Sequence, residues 1–371
     1  MCAVEWKKLG DVVTIQRGDR VTKKDLLPRG EYPVISGGIQ PLGYIDKFNR
    51  PKNTITIAQY GTAGYVNWQN VDFWANDVCY SIFPKEAEKR YLYYTLQNMQ
   101  DYIYSLRIDA IPAHLPLDRL KNIIIPIPSL AKQQEIVSHL DTFTTFISNL
   151  ESELDMRRKQ YEHYRNQLLN FEGVEGVEWK TLGDLSLKIT DGAHTSPKST
   201  NEGYYMPSVK DMTDYGFDFS DCKIISKEDY EDLKRIGCQP NVSDILIAKD
   251  GSMLKYVFAL KEKLDIVLLS SIAIITPKQE LIMSEYLVHY LKQSSVREIV
   301  IRDYSSKGGV PRIILKNFKK IFIPTPAKNI QQQIVEKLDA FEQLIQSLET
   351  EIKLRKQQYE YYREKLLTFE K

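Results

Sequence analysis

Apolar residues recur every seven positions in two long stretches of the chain. In the first stretch Ile136, Phe143 and Leu150 form one row, and a second row begins at Leu140. The same two rows return in the second stretch, at an offset of 198 positions. The positions of this seam are Ile136, Leu140, Phe143, Ile147, Leu150, Leu154, Tyr161, Leu168, Ile334, Leu338, Phe341, Ile345, Leu348, Ile352, Tyr359 and Leu366. A heptad pattern of this kind predicts helices that pair as a coiled coil.

The length of the helices and the linker between the two copies predict how the helices pair. Each stretch follows a proline and contains no glycine or proline, which favours one uninterrupted helix. The first predicted helix, Lys132–Asn170, would be roughly 58 Å long, whereas a 150-residue domain is only about 40 Å across. Most of each stripe is therefore expected to pack against the other. The short linker EGVEG after Phe171 cannot run back along the first helix, so we expect an antiparallel pair.

Each helix ends a larger internal repeat. VEWKKLGD at 4–11 returns as VEWKTLGD at 177–184, and ITIAQYGTAGYV at 55–66 matches ILIAKDGSMLKYV at 245–257. LKNIIIPIP from Leu120 matches FKKIFIPTP from Phe318. One module is thus used twice, each copy having a globular part followed by a helix. The expected segments are two globular domains at 1–128 and 174–326, a central helix at 129–173 and a C-terminal helix at 327–371.

The globular copies are predicted to be α+β. Short strand-like runs such as NTITIA and DILIA are bounded by Gly, Pro, Asn and Asp, while Tyr91–Ser105 and Glu285–Val300 read as helices. The expected architecture is two homologous α/β domains separated by two long α-helices that form an antiparallel coiled coil. We expect a dumbbell with approximate two-fold symmetry, its heads held at a fixed spacing.

Composition excludes several classes of protein. With 43% hydrophobic and 27% charged residues the chain is ordinary for a globular protein. Its four cysteines form no CxxC pair and have no histidine at metal-ligand spacing, so neither a disulfide framework nor a metal site is predicted. No apolar run reaches the roughly 18 residues that cross a bilayer, and no leader is recognisable. We expect a cytoplasmic protein.

Two similar heads at a fixed distance match the two-fold character of duplex DNA, in which half-sites present equivalent grooves. The framework is shared between the copies while the intervening segments differ, which predicts a bipartite, asymmetric DNA target. The charge is low for this function: 1–128 has a net charge of +3 and 174–326 a net charge of zero. Because phosphate contacts usually supply most of the affinity for DNA, the chain alone is expected to bind DNA weakly.

No catalytic motif is present in the sequence. The base pocket and Gly-rich cofactor loop of amino-methyltransferases are missing, as are GxSxG, HExxH and a paired-carboxylate nuclease cluster. SSKGGVPR at 305–312 lacks the order of a P-loop. We therefore assign no catalytic or metal-binding residue and no cofactor to this chain.

The repeated layout and several motifs resemble a known family. The helix starts IPIPSLAKQQEIV and IPTPAKNIQQQIVEKLD, together with ITIAQYGTAGYVNWQNVDFWANDVCY, are similar to the specificity subunit of type I restriction-modification systems. The resemblance implies two target-recognition domains, each reading one half of a split DNA site. It also implies that the helices set the spacer length and dock two methyltransferase subunits, with restriction/translocase subunits in the full complex. S-adenosylmethionine, ATP and Mg would belong to those partners.

The candidate DNA contacts lie in the segments predicted as loops. Arg and Gln can contact base edges in pairs of hydrogen bonds, and Gly lets the backbone approach phosphate. In the first copy we select Arg17, Arg20, Lys23, Ser36, Gly37, Gly38, Gln59, Tyr60, Thr62, Tyr65, Asn67, Arg107 and His114. In the second copy we select Lys188, Asp191, Gly192, His194, Thr195, Lys210, Lys249, Asp250, Lys255, Tyr304, Ser305, Ser306, Lys307 and Arg312.

Within these sets the evidence differs from place to place. QYGTAGY is equally consistent with a β-turn of the shared framework, since Gly61 and Thr62 return as Gly251 and Ser252. Gln59–Tyr60 and Lys249–Asp250 differ between the copies, which favours them for sequence readout. His194 is expected to be a surface hydrogen-bonding residue and not a catalyst.

Two other functions stay open at this level. A coiled-coil protein-interaction scaffold without direct DNA readout would explain the low charge, but not why the framework persists while the loops diverge. An enzyme with two equivalent sites would need matched polar residues, whereas the matched residues are mostly apolar, Gly or Pro. DNA specificity is the favoured hypothesis.

Overall fold

The computed structural model describes residues 4–109, 111–306 and 312–369. The chain forms two compact units, and each unit combines a globular part with portions of both long helices. Unit 1 takes the chain up to Ser152 and again from Thr350, and unit 2 is Glu153–Glu349.

The first half of the chain contains nine strands and five helices among its described residues. In chain order they are β1 (Glu5–Lys8), α1 (Leu9–Val12), β2 (Val13–Arg17), β3 (Tyr32–Ile35), β4 (Tyr44–Ile45), β5 (Thr54–Ala58), β6 (Val66–Gln69), β7 (Trp74–Ala75), β8 (Cys79–Pro84), α2 (Lys89–Asn98), α3 (Gln100–Ser105), α4 (Leu117–Lys121), β9 (Ile124–Ile127) and α5 (Leu130–Leu168).

The second half repeats most of this order, but among the described residues it lacks a counterpart of α1 and of β7 and has α6 in addition. The elements are β10 (Glu178–Thr181), β11 (Ser186–Asp191), β12 (Tyr204–Tyr205), β13 (Ile224–Ile225), α6 (Lys227–Arg235), β14 (Ile245–Ala248), β15 (Val257–Ala259), β16 (Ile272–Pro277), α7 (Ser284–Leu291), α8 (Ser294–Tyr304), α9 (Leu315–Phe318), β17 (Phe322–Thr325) and α10 (Lys328–Leu367).

The four-stranded sheets of the two units have the same topology. Unit 1 has a four-stranded antiparallel sheet in the order β2-β8-β5-β6, and unit 2 has one in the order β11-β16-β14-β15. A two-stranded pair joins the start of each globular part to its end, with Trp6 opposite Pro126 and Trp179 opposite Pro324. The internal repeat and the α+β class are confirmed.

The central strand of each sheet shows why the second copy is longer. In β5, Ile55 and Ile57 face the main core of unit 1, while the hydroxyl of Thr56 on the other face accepts a hydrogen bond from buried Gln69. In β14, Leu246 stands at the position of Thr56 and packs in a second apolar cluster with residues such as Phe258. Part of that cluster, including Met212, comes from a segment between β12 and β13. The additional residues of the second copy therefore build an extra core.

Two helices predicted as single elements are each broken in the structure. Tyr91–Ser105 is divided at Met99 into α2 and α3, and Glu285–Val300 is divided after Leu291 into α7 and α8. Gln293 has an extended backbone, with φ −64° and ψ 134°, which ends the helical hydrogen bonding. These predictions were wrong at the break because Leu96 and Ile103 are both buried, so the apolar pattern continues across it.

The long helices are confirmed almost to the residue. α5 has 39 residues and starts at Leu130, two positions before the predicted Lys132. Within unit 1 the ring of Phe143 stacks on Tyr362 at 5.5 Å, and within unit 2 the ring of Phe341 stacks on Tyr164 at 5.4 Å. In unit 1, Lys356 Nζ also lies 2.6 Å from a carboxylate oxygen of Glu151.

Ion pairs fix the direction of the pairing. In unit 2, Arg158 lies 2.6 Å from Glu349, while Tyr164 meets Phe341. Residue numbers on α10 thus fall as those on α5 rise, and the same is true in unit 1. The two helices pack antiparallel within each unit, as predicted.

The sixteen seam positions are all buried or half-buried. Ile136 and Leu140 are fully buried, and they pack on Tyr91 and Tyr94 of α2 as well as on Leu367 of α10. The start of the seam is therefore shared between the other helix and the globular part of the same unit.

A glutamine near the start of each long helix fixes that helix to the globular part. Gln133 accepts a hydrogen bond from the amide of Glu88 at 2.8 Å and donates to the carbonyl of Pro128 at 2.8 Å. Gln331 accepts from the amide of Met283 at 2.9 Å and donates to two carbonyl oxygens, those of Leu281 and Pro326. Both side chains are buried, and all their bonds go to the main chain.

None of the helices in the described ranges is long and apolar enough to cross a membrane.

Candidate nucleic-acid interface

Four equivalent backbone positions converge at one edge of the four-stranded sheet in each unit. They are the end of the first sheet strand, the two residues after the central strand, and a residue from the loop before α4 or α9. We call the side chains at these positions quartet 1 (Arg17, Gln59, Tyr60 and His114) and quartet 2 (Asp191, Lys249, Asp250 and Arg312).

The main chain around the two quartets is the same. The amide of Leu115 donates to the carbonyl of Gln59 at 2.9 Å, and the amide of Ile313 donates to the carbonyl of Lys249 at 3.0 Å. An antiparallel bridge joins Tyr60 to His114 in unit 1, and the corresponding bridge in unit 2 joins Asp250 to Arg312. One backbone frame therefore presents two different sets of side chains.

Glycines allow main-chain segments to approach closely within this frame. A methyl group on Gly18 would overlap the carbonyl of Ala75, and one on Gly192 would overlap the carbonyl of Leu268. Gly61 has a φ of +73°, a conformation that glycine adopts without the cost of a side chain, and the next amide donates to Gly37. QYGTAGY therefore forms a turn of the shared framework, one of the two interpretations left open by the sequence. It also contains Gln59 and Tyr60, which differ between the copies.

Quartet 1 is aromatic and weakly charged. The rings of Tyr60 and His114 stack with centroids 5.6 Å apart, and the guanidinium of Arg17 lies 5.8 Å from the ring of Tyr80. Burial raises the pKa of Tyr80 against the opposing effect of Arg17, so its hydroxyl stays protonated. Gln59 is only 3% exposed, and its Oε1 has no hydrogen-bond partner within the described ranges.

Quartet 2 is a chain of charges. Lys249 is buried, with the residue 7% exposed, and its ammonium lies 3.3 Å from a carboxylate oxygen of Asp191 and 3.3 Å from one of Asp250. His194 Nε2 lies 3.3 Å from the other oxygen of Asp191. A buried charge is tolerated when it is paired in this way, so Lys249 is held in place by its two carboxylates.

Asn76, which was not selected from the sequence, connects two loops of unit 1 by hydrogen bonds. Asn76 accepts a hydrogen bond from the amide of Val21 at 2.9 Å and donates to the carbonyl of Val21 and to the hydroxyl of Ser36. Arg20 and Lys23 flank Val21, so these candidates are brought beside Ser36, Gly37 and Gly38. The signal was present in the motif VDFWANDVCY, where Asn76 follows a short buried strand.

Ser271 has a similar role in unit 2. Its carbonyl accepts from the amide of Lys249 at 3.1 Å, and its hydroxyl accepts from the amide of Val209 at 3.2 Å. The loop with Lys210 is thereby attached beside quartet 2. On the other side, the amide of Ser306 donates to the carbonyl of Arg312 at 2.9 Å.

Several candidates lie away from the quartets. Tyr65 and Arg107 lie next to Tyr104 of α3, and the side chain of Asn67 accepts from the amide of Trp68. Lys188 lies along β11, Lys255 over the ring of Tyr256, and Tyr304 donates to the carbonyl of Lys320.

The candidates also differ in exposure. The exposed ones are Arg17, Arg20, Lys23, Gly38, Lys188, His194, Thr195, Lys210, Lys255 and Arg312. The half-buried ones are Ser36, Gly37, Tyr60, Thr62, Tyr65, Asn67, Arg107, His114, Asp191, Asp250, Tyr304, Ser305 and Ser306. Gln59, Gly192 and Lys249 are buried, and Lys307 lies outside the described residues.

The long helices carry a second candidate surface made of exposed apolar side chains. In unit 1, Phe146 is 44% and Leu354 54% exposed; in unit 2, Leu344 is 38% and Met156 61% exposed. Phe146 corresponds to Leu344 and Met156 to Leu354 in the internal repeat. Each unit therefore presents the same pair of apolar positions to solvent.

Sequence comparison finds one family along most of the chain. Residues 3–155 and 175–355 match the family described as "Type I restriction modification DNA specificity domain". A protein of Haemophilus influenzae assigned as a type I restriction enzyme specificity subunit is 31% identical over 384 residues, which cover 99% of this chain and 96% of that protein. The EcoR124I/EcoR124II specificity subunit of Escherichia coli is 30% identical, with 99% and 95% covered.

Solved structures show the same fold. The S subunit of a type I restriction-modification system from M. genitalium superimposes with a TM-score of 0.68 at 18% identity, covering 100% of this chain and 97% of that one.

Proposed function

Because this chain belongs to the family of DNA specificity subunits of type I restriction-modification systems, we propose that its two recognition domains each read one half of a bipartite, asymmetric DNA site. The chain is the non-catalytic specificity subunit of such an enzyme. In this proposal 1–128 is recognition domain 1 and 174–326 is recognition domain 2. The helical segments 129–173 and 327–371 set the spacer between the half-sites.

The observation that carries the proposal is the pair of quartets. A reader of two different half-sites needs one geometry for approaching the duplex and two sets of side chains. The structure has one main-chain frame at 58–61 and 248–251, and at its centre the pairs Gln59–Tyr60 and Lys249–Asp250. A protein scaffold would not need this combination of a constant frame and variable polar side chains.

The exposed and half-buried members of each quartet are suited to base edges. In domain 1, Arg17 can pair with guanine through two hydrogen bonds, beside the stacked rings of Tyr60 and His114. In domain 2, Arg312 can pair with guanine and Asp250 can accept from the amino group of cytosine. Gln59 and Lys249 are buried, so we assign them a supporting role beneath these contacts.

Charge supports a need for partners. With a net charge of +3 on 1–128 and zero on 174–326, neither domain has the basic surface that neutralises many phosphates. Methyltransferase subunits bound to this chain would supply the remaining phosphate contacts and close on the duplex. The isolated chain should accordingly bind DNA poorly.

The exposed apolar positions indicate where those subunits bind. Phe146 and Leu354 in unit 1 correspond to Leu344 and Met156 in unit 2, and two equivalent patches fit two copies of one partner. We place one methyltransferase subunit on each patch, with restriction/translocase subunits joining the full complex. S-adenosylmethionine, ATP and Mg belong to these partners in the proposal.

The test is an exchange within quartet 2. The double variant Asp250→Tyr with Arg312→His places the quartet 1 side chains on the frame of domain 2. The variant is expressed with its partner subunits, and methylated sites are mapped by sequencing. We expect one half of the recognition sequence to change while the other half and the spacer remain.

The matched control makes the same substitutions on a surface ion pair of the same domain. Asp232 and Arg235 on α6 lie 2.6 Å apart and are exposed. Asp232→Tyr with Arg235→His should leave the whole recognition sequence unaltered. An unchanged sequence in the quartet variant, or a change in both halves, would refute the readout proposal.

A further inference from the structure

The additional segment of the second copy contains a short hairpin, 211–218, between β12 and β13. Its turn is closed by a hydrogen bond from the amide of Thr213 to the carbonyl of Gly216 at 2.9 Å. Tyr215 lies inside this turn, and its amide donates to the hydroxyl of Thr213 at 3.4 Å. The hairpin therefore carries a tyrosine at its tip.

The base of the hairpin is fixed in the extra core of unit 2. Met212 is 3% exposed and packs in the cluster that contains Leu246 of β14. An antiparallel bridge joins Met212 to Phe217, whose ring meets that of Phe258 on β15 edge to face, with centroids 5.2 Å apart. The base is thus attached to the four-stranded sheet of the same unit.

Hydrogen bonds join the same base to quartet 2. The amide of Ser208 donates to the buried carboxylate of Asp211 at 2.8 Å, which closes a turn around Val209. The amide of Val209 donates to the hydroxyl of Ser271, whose carbonyl accepts from the amide of Lys249. Only two short side chains, those of Asp211 and Ser271, take part in this connection.

The tip of the hairpin contacts α10. The side chain of Gln346 hydrogen-bonds the hydroxyl of Tyr215, and the carboxylates of Glu349 and Glu342 act on the same hydroxyl through their charge. The ammonium of Lys292, at the end of α7, lies 5.5 Å from the centroid of the Tyr215 ring and 3.0 Å from Glu342. Tyr215 is therefore held by α10 and by the end of α7.

The hydroxyl of Tyr215 is shielded from water although part of the ring is exposed. The residue as a whole is 43% exposed. Burial is the largest cause of the raised pKa of its hydroxyl, about 12; the charges of Glu349, Glu342 and Asp214 act in the same direction, and the hydrogen bond with Gln346 opposes them. The hydroxyl therefore stays protonated in the neutral range.

The equivalent face of α5 in unit 1 is more open. By the offset of 198 positions, Ser148 corresponds to Gln346 and Glu151 to Glu349. Ser148 and Glu151 are exposed, whereas Gln346 and Glu349 are half-buried. Both glutamates pair with a basic residue of the other long helix, so that ion pair does not explain the difference. The hairpin covers a helix face that the first copy leaves accessible.

Tyr215 lengthens the attachment of recognition domain 2 along α10. Gln331 attaches the domain at the start of the helix, and His289 contacts Asp339 farther along. Gln346 lies roughly 22 Å from Gln331 along the helix axis at 1.5 Å per residue. A tilt of about 9° moves a point 22 Å from the pivot by about 3.4 Å, the rise of one base pair. A contact at this distance therefore resists tilts that would change the spacing by one base pair.

We propose that Tyr215 is a positioning residue, which holds quartet 2 in place relative to α10 through hairpin 211–218 and so determines how strictly the second half-site must lie at one distance from the first. The spacing clause rests on the proposed function, whereas the contact between Tyr215 and Gln346 does not. Loss of the contact leaves the side chains of quartet 2 unchanged, so the sequence read by domain 2 should stay the same while the tolerated spacing widens.

The first experiment tests the contact in the full chain by a double-mutant cycle. Tyr215→Phe removes the hydroxyl, Gln346→Ala removes its partner, and urea unfolding gives the unfolding equilibrium constant of each variant. We expect the double variant to raise this constant by about threefold less than the product of the two single effects. The control cycle pairs Tyr215→Phe with Ser148→Ala in unit 1, where the effects should multiply. Multiplying effects in the first cycle would overturn the proposal, because the two side chains would then be independent.

The second experiment measures spacing in the complex with the methyltransferase subunits. Methylation rates are compared between duplexes with the native spacer and duplexes with one base pair inserted or removed. We expect Tyr215→Ala to reduce the preference for the native spacer about tenfold, equivalent to about 1.4 kcal/mol, and to keep the preference for the sequence of the second half-site. Tyr215→Phe keeps the ring beside Lys292 and should have an intermediate effect.

The matched control removes an equally exposed ring from unit 1. Tyr102 on α3 is 50% exposed, and Tyr102→Ala should leave the spacer preference unaltered. An unchanged preference in Tyr215→Ala would refute the positioning role even if the unfolding temperature falls, and so would an equal loss in Tyr102→Ala. Failure of the quartet exchange would refute the readout proposal separately, since the coupling between Tyr215 and Gln346 is measured without DNA.

Discussion

Replacing Gln331 by alanine should loosen the attachment of α10 to the globular part of unit 2. The side chain is fully buried and makes three hydrogen bonds, all to main-chain atoms: it accepts from the amide of Met283 and donates to the carbonyls of Leu281 and Pro326. Alanine can replace none of them.

The magnitude follows from the groups left behind. One buried amide and two carbonyls lose their partner, and each unsatisfied buried group costs about 1–3 kcal/mol. At the lower bound of that range the three groups together cost about 3 kcal/mol. For a unit of this size that corresponds to a decrease of about 6–12 °C in unfolding temperature.

Hydrogen exchange gives the most direct assay. The amide of Met283 is bonded to the glutamine side chain, so its protection from exchange should fall in Gln331→Ala, and urea unfolding should shift in parallel. Gln332→Ala is the matched control, because this neighbour is exposed and its side chain bonds to Glu336 on the same helix. Gln133→Ala with Gln134→Ala repeats the comparison in unit 1, where two bonds are lost instead of three.

The reasoning would be refuted if Gln331→Ala cost no more than Gln332→Ala. It would also fail if the protection of Met283 were unchanged, because the amide would then have another partner in solution.

Further predictions address the core, the acid limit and the partner surface. Leu338→Ala should cost about 3 kcal/mol in urea unfolding, because Leu338 is fully buried, while Lys337→Ala should cost nearly nothing. Burial raises the pKa of Asp339, but the hydrogen bond and charge of His289 outweigh it and lower the pKa. The stabilising effect of the Asp339 carboxylate is therefore present above about pH 4 and lost as the pH falls further. Asp339→Asn should accordingly make the unfolding free energy less dependent on pH in the acid range. Leu344→Glu should leave unfolding unchanged but remove one bound methyltransferase subunit, measured by native mass spectrometry, and Leu344→Glu with Phe146→Glu should remove both.

The sequence predicted the long helices well because their pattern is local and regular. A heptad row needs only the residues themselves. The structure starts α5 at Leu130, two residues before the predicted Lys132, and places α10, Lys328–Leu367, within the expected segment 327–371. The antiparallel pairing was also predictable, since a short linker leaves little choice. The breaks at Met99 and Gln293 were not, because apolar residues continue on both sides of each break.

The candidate interface could be predicted only in part. The comparison of the two copies picked out Gln59–Tyr60 and Lys249–Asp250 from the chain alone. It could not show that Gln59 and Lys249 are buried, because their burial depends on a loop more than 50 residues later that ends at Leu115 or Ile313. Asn76 was missed for the same reason, since its partners Val21 and Ser36 are far away along the chain.

The glutamine attachment has a consequence for how such a protein can diversify. The side chains of Gln133 and Gln331 bond to main-chain amides and carbonyls, and these groups do not depend on the side chain of the residue. A foreign domain whose chain turns the same way at this point would be held equally well, however different its sequence. The starts of α5 and α10 can therefore hold recognition domains of different sequence in the same way.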